Sequence, residues 1–596
     1  MDYTSREVYE YVSKKANDSI MERKKCRLSW QDFPIYQSDL EFYDKVSPAF
    51  EVGEWFAKEF MEKNKDVKGS FEYKDWKLKA KIPTPTLCPE ERERRRFLIM
   101  NDQHLYRRKL DNTWKQTISI ISPDKPYIVY DFNYWYSRNR DYEELNQRSG
   151  NFGENFSHLL LKTPVADKSR RWEIENSEYC TNIVNAKDSY MCFYWIWLEN
   201  CMYVYNWMSN NDNCVDCDEI NMCSFCFDCV QLKNCSDVYH CQNCTNCHSS
   251  YYLQSCVWCH DCFNCVNLIN KSYCINNEQY SKEEYEDIVK AQKETKISVD
   301  LKLIWCSQID CENSYWNNFV WCKNSSFSES LTNCENVKYT CDILDMKYVY
   351  DGRWISSEFG LETYWSGYSY NCIFTFGVLH SRDSLYCQQC DNCDHIFWCV
   401  WLKDESYRIY NKQYTKEEYN QIVPQIIAQM IRDEEWWEFF NPQLAYCWYN
   451  ESMSMEKYPL TKQEALERWY KWSDYESPLP KVEKIVQWKD LPKQWCKIIK
   501  EKKPEILEKI LKYAIVCEVS KRPFRITKQE IEFYVKHNLP LPTKHPDIRH
   551  QERLNRKDST IMHLINCDEC WEKILSVHLP WEWKKVLCEK CFYKNI

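Results

Sequence analysis

A short interval that recurs along the middle of the chain constrains the fold more than any other feature of the sequence. Residues 180–399 hold 27 of the 36 cysteines, and around them a polar corner followed by Ser or Cys and an aromatic residue recurs, mostly at intervals of eleven to thirteen residues. The corners include Asn176, Asp188, Asn200, Asn213, Asn234, Asn313, Asn324 and Asn336. Such periodicity is typical of a solenoid, in which short strands stack coil on coil. We predict a parallel β-solenoid with two intervals, or about 21–25 residues, in each coil.

The solenoid is itself duplicated. The segment 263–285 reappears 134 residues later as 397–419. Ser281 and Glu284 in the first copy, like Thr415 and Glu418 in the second, have the spacing of a helix capping box. The sequence therefore predicts a helix at the end of each half, where it would cover the open end of the stack.

Two CxxC pairs near the end of the chain have a specific chemical meaning. Cys567 and Cys570 are separated by seventeen residues from Cys588 and Cys591, which is the spacing of a four-thiolate zinc site. A segment this short cannot bury enough apolar surface to hold its shape without such a centre. We predict a zinc ribbon in which two knuckles bind one zinc ion.

The two ends of the chain carry one module twice. The ribbon segment 567–576 aligns with 110–119, which has the same spacing of shared residues but has Leu110 and Thr113 in place of the two cysteines. Upstream, a shared block places Cys26 and Cys88 in the first copy, and Cys517 and His545 in the second, at equivalent positions. These residues are candidates for a second metal site. Because a structural zinc normally needs at least three thiol or imidazole ligands, eroded sites are the alternative interpretation.

Runs of CxxC spacing within the solenoid offer another metal hypothesis. The longest comprises Cys256, Cys259, Cys262 and Cys265. Its spacing resembles the start of a ferredoxin cluster motif, but the Cys-Pro that ends such a motif is absent. On an extended strand residues three apart point to opposite faces, so a metal site would require the chain to turn between them. Reduced thiols that fill a narrow core are the simpler interpretation, with zinc or iron–sulfur binding as alternatives.

Charge limits the partners that the chain can bind. A net charge of −10 and a pI near 5.8 oppose extensive coating of nucleic acid. A local run of arginines is the exception, and it predicts contact with the phosphates of RNA or single-stranded DNA: Arg92, Arg94, Arg95, Arg96, Arg107 and Arg108. Interspersed glutamates make a solvated helical face the alternative.

Signatures of enzymes and of export are missing. There is no GxGxxG motif or phosphate loop, and the twelve histidines are scattered. We find no run of eighteen apolar residues and no signal peptide, so we expect a cytoplasmic protein with reduced thiols and no membrane contact.

Tryptophan and glycine are used in unusual proportions. The chain has 27 Trp and only 8 Gly, whereas glycine ordinarily makes up about 7% of residues. Trp114 and Trp571 follow a knuckle, where glycine is expected because the tight turn often needs a positive φ. Trp398 and Trp401 align with asparagines, which tolerate the left-handed conformation, whereas tryptophan does not. One hypothesis is that the codon UGA, written here as Trp, is read as Gly in the source organism. The alternative is a true Trp-rich solenoid with stacked aromatic rings.

Several motifs carry a resemblance to a known family. They begin at Pro85 (PTLCPEER), Ile121 (ISPDKPY), Tyr458 (YPLTKQEAL) and His545 (HPDIRH), and they include the two NxQYxKEEY caps. With them the chain resembles a family of zinc-ribbon, cysteine-rich repeat proteins from candidate-phyla bacteria, over nearly its whole length. The resemblance implies glycine at the four tryptophan positions named above and implies no known activity. The chain departs from the fuller family pattern because its N-terminal ribbon lacks thiols.

These observations predict a β-rich chain with some helix. Its expected segments are an N-terminal helix (1–25), a degenerate zinc-ribbon-like module (26–165), two solenoid halves with helical caps (166–300 and 301–435), a helical connector (436–512) and a C-terminal module with the zinc ribbon (513–596). The function expected is that of a non-enzymatic zinc-binding scaffold for protein or RNA. The alternative is a metal-handling or redox protein that uses stacked thiolates.

Overall fold

The computed structural model describes residues 3–99, 101, 103–137, 151–205, 208–292, 303–305, 308–309, 311–320, 322–344, 346–353, 356–490, 504–557, 559–579 and 584–595. The chain forms two compact units. Unit 1 contains Met1–Lys168, Ile304–Ser473 and Ser559–Asn595, and unit 2 contains Ser169–Leu303 and Asp474–Asp558. The N-terminal module thus packs with the second solenoid half, and part of the C-terminal module packs with the first half.

The predicted cysteine-rich parallel β-solenoid is confirmed, but its coil is half as long as we expected. Paired positions in neighbouring coils, such as Val215 and Phe227, are mostly twelve residues apart, and coils of thirteen or eleven residues also occur. The Val215 N–H, for example, donates to the Cys226 carbonyl at 2.9 Å. The recurring interval of eleven to thirteen residues is therefore one whole coil, where we had predicted two intervals per coil.

The coil is short because the backbone turns at every third residue. In the coil that starts at Asn213, the left-handed residues are Asn213, Asp216, Glu219 and Met222, with φ of 51°, 54°, 54° and 52°. The residue after each corner points inward, and these inner side chains are Cys214, Cys217, Ile220 and Cys223, each at most 1% exposed. Asn and Asp tolerate the left-handed conformation, which explains their abundance at the corners. A coil of four three-residue sides encloses a narrow core, which cysteine, a small apolar side chain, fills without strain.

The strands of the two solenoid halves follow one another in parallel register. The first half contains Arg170–Glu175, Thr181–Lys187, Phe193–Glu199, Met202–Tyr205, Met208–Asp212, Val215–Asn221, Val230–Lys233, Ser236–Tyr239, Gln242–Thr245 and His248–Tyr251. The second half contains Gln308–Ile309, Tyr315–Val320, Ser326–Thr332, Glu335–Lys338, Cys341–Leu344, Lys347–Arg353, Ser356–Tyr364, Gly367–Phe376, Arg382–Leu385, Asp394–Phe397 and Ser406–Ile409.

Both predicted helical caps are present. A short antiparallel hairpin ends each half, formed by Cys274–Ile275 with Glu278–Gln279 and by Ser406–Ile409 with Lys412–Gln413. The helices Lys282–Gln292 and Lys416–Arg432 follow. Their capping boxes form as expected: the Ser281 and Thr415 hydroxyls accept from the N–H groups of Glu284 and Glu418 at 3.3 and 3.1 Å.

Helices and short sheets surround the solenoid halves. Outside the solenoid, unit 1 has the helices Arg6–Ala16, Gln37–Val46, Glu54–Lys63, Pro89–Phe97, Phe132–Tyr136, Phe152–Lys162, Met453–Lys457, Lys462–Glu467 and Glu589–Asn595. Its strands there are Ile20–Lys25, Asp32–Tyr36, Ala49–Glu51, Phe71–Lys74, Lys77–Ala80, Tyr106–Lys109, Gln116–Ser119, Val129–Tyr130, Val165–Ala166, His563–Asn566, Lys573–Ser576 and Lys584–Val586. Unit 2 adds the strands Lys484–Gln487, Tyr513–Val516 and Pro523–Phe524 and the helices Pro504–Leu511, Lys528–Lys536 and Pro546–Leu554.

The predicted helical connector over 436–512 is only partly helical. Its described part has the short helices Met453–Lys457 and Lys462–Glu467, long irregular stretches and the strand Lys484–Gln487, before the helix Pro504–Leu511. Residues 491–503 of the predicted connector lie outside the described residues. Within the part of the chain that the structure describes, no helix combines the length and apolar character needed to span a bilayer.

A buried network of ion pairs holds part of the C-terminal module against the first solenoid half. This network, here called the unit 2 lock, consists of Tyr203, Asp216, Asp218, Glu530, Arg549 and Arg553. Its arginines lie on the helix Pro546–Leu554 and its aspartates on the strand Val215–Asn221. Arg553 Nε lies 2.6 Å from Asp218, and Arg553 Nη1 lies 3.1 Å from Asp216. The side chains of Arg553 and both aspartates are at most 2% exposed.

The N-terminal module contacts the second solenoid half through the same arrangement. The unit 1 lock consists of Asp39, Arg92, Arg96, Tyr339, Asp351 and Glu362. Arg92 Nε and Arg96 Nη1 lie 2.9 and 3.0 Å from Asp351, and Arg96 Nη1 lies 2.9 Å from Glu362. Arg92 and Arg96 align with Arg549 and Arg553 in the duplicated modules. The duplication seen in the sequence therefore includes one interface, used once in each unit.

A tyrosine completes each lock in the same way. The Tyr339 hydroxyl donates to Asp39 at 3.2 Å, and the Tyr203 hydroxyl donates to Glu530 at 3.0 Å. The guanidinium of Arg92 lies over the Tyr339 ring, 4.8 Å from its centroid, and that of Arg549 lies over the Tyr203 ring at 4.6 Å. These shared contacts fix the register of each module on its solenoid half.

The arginine run that we predicted to contact nucleic acid does not fit that role. Arg92, Arg94 and Arg96 are at most 4% exposed, and carboxylates of unit 1 pair with all three. Arg95 pairs with Glu438, and the buried Arg108 pairs with Asp111 at 3.1 Å. Of the six predicted residues only Arg107 is exposed. The run stabilises the packing of unit 1 and offers no continuous surface to phosphates.

Candidate metal centre

The four C-terminal cysteines converge on one point. The Sγ atoms of Cys567, Cys570, Cys588 and Cys591 all lie within 4.8 Å of one another, and those of Cys570 and Cys588 are 3.6 Å apart. A tetrahedral zinc ion with Zn–S bonds of about 2.3 Å requires sulfurs about 3.8 Å apart. The predicted four-thiolate set is therefore brought together with the spacing that a tetrahedral metal needs.

The knuckle that carries the first pair has a defined turn. The Cys567 N–H donates to the Glu572 carbonyl at 2.8 Å, and the Trp571 N–H donates back to the Cys567 carbonyl at 3.1 Å. Trp571, the residue after the second ligand, has φ of 63°. The strands His563–Asn566 and Lys573–Ser576 continue from this turn as an antiparallel hairpin.

The second pair does not lie in a second knuckle, contrary to our prediction. Cys588 immediately precedes the helix Glu589–Asn595, and Cys591 lies in its first turn. Residues three apart at the start of a helix lie on the same face, so one helix end presents both sulfurs to the hairpin. A knuckle and a helix end replace the two knuckles of the predicted ribbon.

The surroundings of Cys567 favour its thiolate form. The Cys588 N–H points at Cys567 Sγ at 3.3 Å. Burial acts to raise the pKa of Cys567, but backbone N–H groups of Cys570, Cys588 and Glu569 outweigh it and hold the pKa at about 7. Because thiolates are the form that binds zinc, these N–H groups prepare Cys567 as a ligand.

A carboxylate that sequence reasoning missed braces the knuckle. Asp568 accepts from the Val586 N–H at 2.7 Å, which ties the knuckle to the segment that leads into the second pair of cysteines. In the N-terminal copy Asp111 accepts from the Val129 N–H, also at 2.7 Å. The signal was available, because Asp is the only residue identical in the two aligned knuckles 110–113 and 567–570.

The knuckle occurs four times in the described part of the chain. The same turn closes at Cys26, Leu110, Cys517 and Cys567, where the N–H of each residue donates to the carbonyl five residues later at 2.8–3.0 Å. The residue after the second ligand position is left-handed in all four copies, with φ of 61° at Trp30, 58° at Trp114, 59° at Lys521 and 63° at Trp571. The knuckle fold is thus independent of a complete ligand set.

The other three knuckles lack the residues to hold a zinc ion. Among the described residues, no group of three close His, Cys, Asp or Glu ligand atoms forms around Cys26, Cys88, Cys517 or His545. In the first copy Ser29 Oγ lies 3.5 Å from Cys88 Sγ. Glu91, which occupies the fourth ligand position of that copy, pairs with Arg94 at 2.6 Å. Cys26 and Cys88 lie in unit 1, and Cys517 and His545 lie in unit 2. The interpretation as eroded sites agrees with this geometry.

The solenoid thiols point inward and face backbone carbonyls. Cys256, Cys259, Cys262 and Cys265 are fully buried, and each Sγ lies 3.3–3.5 Å from the carbonyl oxygen two residues earlier. A thiol in this position donates its S–H, and a thiolate would lose the bond. The chain does turn between these cysteines, but no three of their sulfurs come together as a metal-binding group.

The stacking of neighbouring coils brings together another group of potential metal ligands among the described residues. Asp383, Asp394 and His395 bring three potential ligand atoms together on the surface of the second solenoid half. His395 Nδ1 already lies 2.9 Å from Asp394, which also pairs with Arg382 at 3.2 Å. These contacts account for the group without a metal ion.

Comparison with known proteins adds no relative: the chain matches no family model, no curated protein and no solved structure.

Proposed function

We propose that the protein is a non-enzymatic scaffold that binds one structural zinc ion at Cys567, Cys570, Cys588 and Cys591 and presents its surface to a protein partner. The observation that carries the proposal is the convergence of four sulfurs within 4.8 Å at the end of the chain. A complete set of four protein ligands is typical of a structural site, because a catalytic zinc keeps one position open.

The alternative, a metal-handling protein with stacked thiolates, is less well supported. In the described part of the solenoid, the thiols face carbonyl oxygens as donors and are buried in an apolar stack. Taking a metal there would require deprotonation of several buried thiols and the loss of those hydrogen bonds. Packing of the narrow core accounts for the cysteines without a further role.

A protein partner is favoured over RNA. The proposal of RNA binding depended on the arginine run, and five of its six members are engaged in ion pairs or hydrogen bonds within unit 1. The net charge of −10 also opposes long-range attraction to a polyanion.

Metal analysis of the purified protein, combined with its absorbance spectrum, tests this function. We expect one zinc ion per chain and no visible colour, because four cysteine ligands form a single closed site. Several metal ions per chain, or the brown colour of an iron–sulfur centre, would instead support the stacked-thiolate alternative.

We also propose that many tryptophan positions carry glycine in the source organism. Among the residues that the structure describes, eleven tryptophans have a left-handed backbone: Trp30, Trp76, Trp114, Trp197, Trp258, Trp365, Trp398, Trp401, Trp437, Trp469 and Trp571. For a residue with a Cβ this conformation costs roughly 1–2 kcal/mol. Trp30, Trp76, Trp114, Trp469 and Trp571 are also 66–84% exposed, so burial of the ring does not offset that cost. This argument from exposure does not apply to Trp398 and Trp401, because their rings are buried and stacked on other aromatic rings.

Peptide masses from the source organism test the recoding. We expect glycine masses at positions 114, 398, 401 and 571 and a tryptophan mass at 436. Trp436 serves as the internal control, because its backbone, unlike that of the other four positions, is not left-handed. Its ring is also fully buried, and its indole N–H donates to the Lys81 carbonyl at 3.1 Å. Tryptophan at position 571, where the ring is 75% exposed, would end the proposal.

A further inference from the structure

The duplication of the solenoid allows one face to be compared between the two halves. Four outer positions, each between an inner residue and the next corner, define this face in both. In the first half, where we call it the open face, they are Gln254, Val257, Val266 and Ile269. In the second half the aligned residues, 134 positions later, are Gln388, Asp391, Val400 and Lys403. The bridges between neighbouring coils are the same in both sets, so the two faces are structurally equivalent.

In the second half the N-terminal module covers this face. The Tyr136 hydroxyl donates to Asp391 at 2.7 Å, and the ammonium of Lys403 lies over the Tyr136 ring, 4.1 Å from its centroid. Gln388 and Val400 are at most 1% exposed. One aromatic side chain from a short helix therefore anchors a polypeptide segment on this face.

The open face of unit 2 is not buried in the same way. All four of its residues are partly exposed. Val257 and Ile269 take the places of the charged residues Asp391 and Lys403, and with Val266 they make three aliphatic side chains on two neighbouring coils. Single exposed aliphatic residues are common, but a contiguous group at the position of an interface indicates a docking surface.

The open face also continues an interface that unit 2 already has. Gln242 lies one coil before Gln254 in the same row, and its amide donates to the Arg556 carbonyl at 2.6 Å. Arg556 follows the helix Pro546–Leu554, which carries the arginines of the unit 2 lock. A contact of the C-terminal module thus ends directly beside the open face, which a further segment would extend.

We propose that the open face docks a protein partner through an aromatic side chain presented by a short helix, as Tyr136 is presented in unit 1. This inference deepens the proposed scaffold function and rests on it. Val257 and Ile269 offer neither charge nor hydrogen-bonding groups, and a hydroxyl buried without a partner is unfavourable. The anchor of the partner is therefore phenylalanine where unit 1 uses tyrosine.

Two peptides test the open face on the zinc-loaded full chain. One has the sequence of residues 127–137, which includes Tyr136, and the other carries Tyr136→Phe. By fluorescence anisotropy we expect the phenylalanine peptide to bind with a Kd of roughly 10–500 µM, because the face is smaller than a standard interface. The tyrosine peptide should bind about fivefold more weakly, because its hydroxyl loses its partner on this face.

An exchange of two residues makes the test specific. The double variant Val257→Asp/Ile269→Lys reproduces the charges of Asp391 and Lys403, so it should reverse the preference and favour the tyrosine peptide. Both positions point outward, so we expect the variant to fold. Ser236→Asp is the matched control, because it adds a charge at an outer position on a different side of the same half, and it should change neither affinity.

Three results would overturn the proposal: no binding of the phenylalanine peptide up to about 1 mM, an unchanged preference in the double variant, or an equal loss of affinity in Ser236→Asp. Sedimentation adds a fourth. If the wild type forms dimers that the double variant does not form, the occupant is a second copy of this chain. Zinc content, measured on the same samples, tests the proposed function separately, because the metal centre shares no residue with the open face.

Discussion

Replacing Cys570 by serine should abolish zinc binding and expose the C-terminal segment to proteases. The change removes one of four thiolates, and metal binding supplies about 10–16 kcal/mol of apparent free energy in small zinc modules. The hairpin His563–Asn566 and Lys573–Ser576 and the helix Glu589–Asn595 have little other core. We expect rapid cleavage within 563–595 by limited proteolysis, with both solenoid halves left intact.

The chain contains a matched control for this experiment. Cys517 begins a knuckle with the same turn, but its neighbours do not complete a ligand set. Cys517→Ser should therefore leave one zinc ion per chain. The metal centre would be wrongly assigned if Cys570→Ser kept its zinc and its digestion pattern, or if Cys517→Ser lost the metal.

Much of the fold could be predicted because each repeat leaves a local signature. Capping boxes at Ser281 and Thr415 depend on residues three apart, and so do the CxxC pairs. The coil length was harder to predict. Because the backbone turns at every third residue, the corners recur with the same three-residue period as the cysteines of a CxxC pair. The aromatic residues that marked the repeat recur only once in each coil. The sequence showed the interval without showing how many intervals close a coil.

The roles of the charged residues could not be predicted, because they depend on contacts between distant segments. Arg92 and Asp351 are 259 residues apart in the chain, and nothing local distinguishes Arg92 from a solvated helical arginine. The duplication held a usable clue. Arg92 and Arg96 recur as Arg549 and Arg553, at a spacing that places both on one helical face. A pair of charges kept at the same spacing in two diverged copies is typical of a shared interface.

The two locks also explain why the N-terminal module packs with the second solenoid half and part of the C-terminal module packs with the first. Each unit joins segments from both halves of the sequence, so the linear domain order that we predicted differs from the spatial grouping. The locks supply a physical reason. In each one, two arginines four residues apart on a module helix pair with buried carboxylates of a solenoid half. Both terminal modules are thus docking elements, whether or not they carry a full set of metal ligands.

Replacing Arg549 by methionine should destabilise unit 2 selectively. The change removes the positive charge between Asp216 and Glu530, both buried, and leaves their carboxylates less compensated. Breaking a buried pair in this way typically costs about 3–5 kcal/mol. We expect faster hydrogen exchange over the helices Lys528–Lys536 and Pro546–Leu554 and over the first solenoid half, with unit 1 unchanged.

The control and the reciprocal variant make this test specific. Arg522→Met removes an arginine that is 61% exposed and paired with Asp547 at the surface, so we expect a loss of less than about 1 kcal/mol. Arg92→Met should move the faster exchange to unit 1, over the helix Pro89–Phe97 and the strands Lys347–Arg353 and Ser356–Tyr364. In a double-mutant cycle, Arg549→Met and Asp216→Asn should cost less together than the sum of their separate effects, because each removes the same pair. Additive losses, or a similar loss in Arg522→Met, would show that the lock does not hold the module in place.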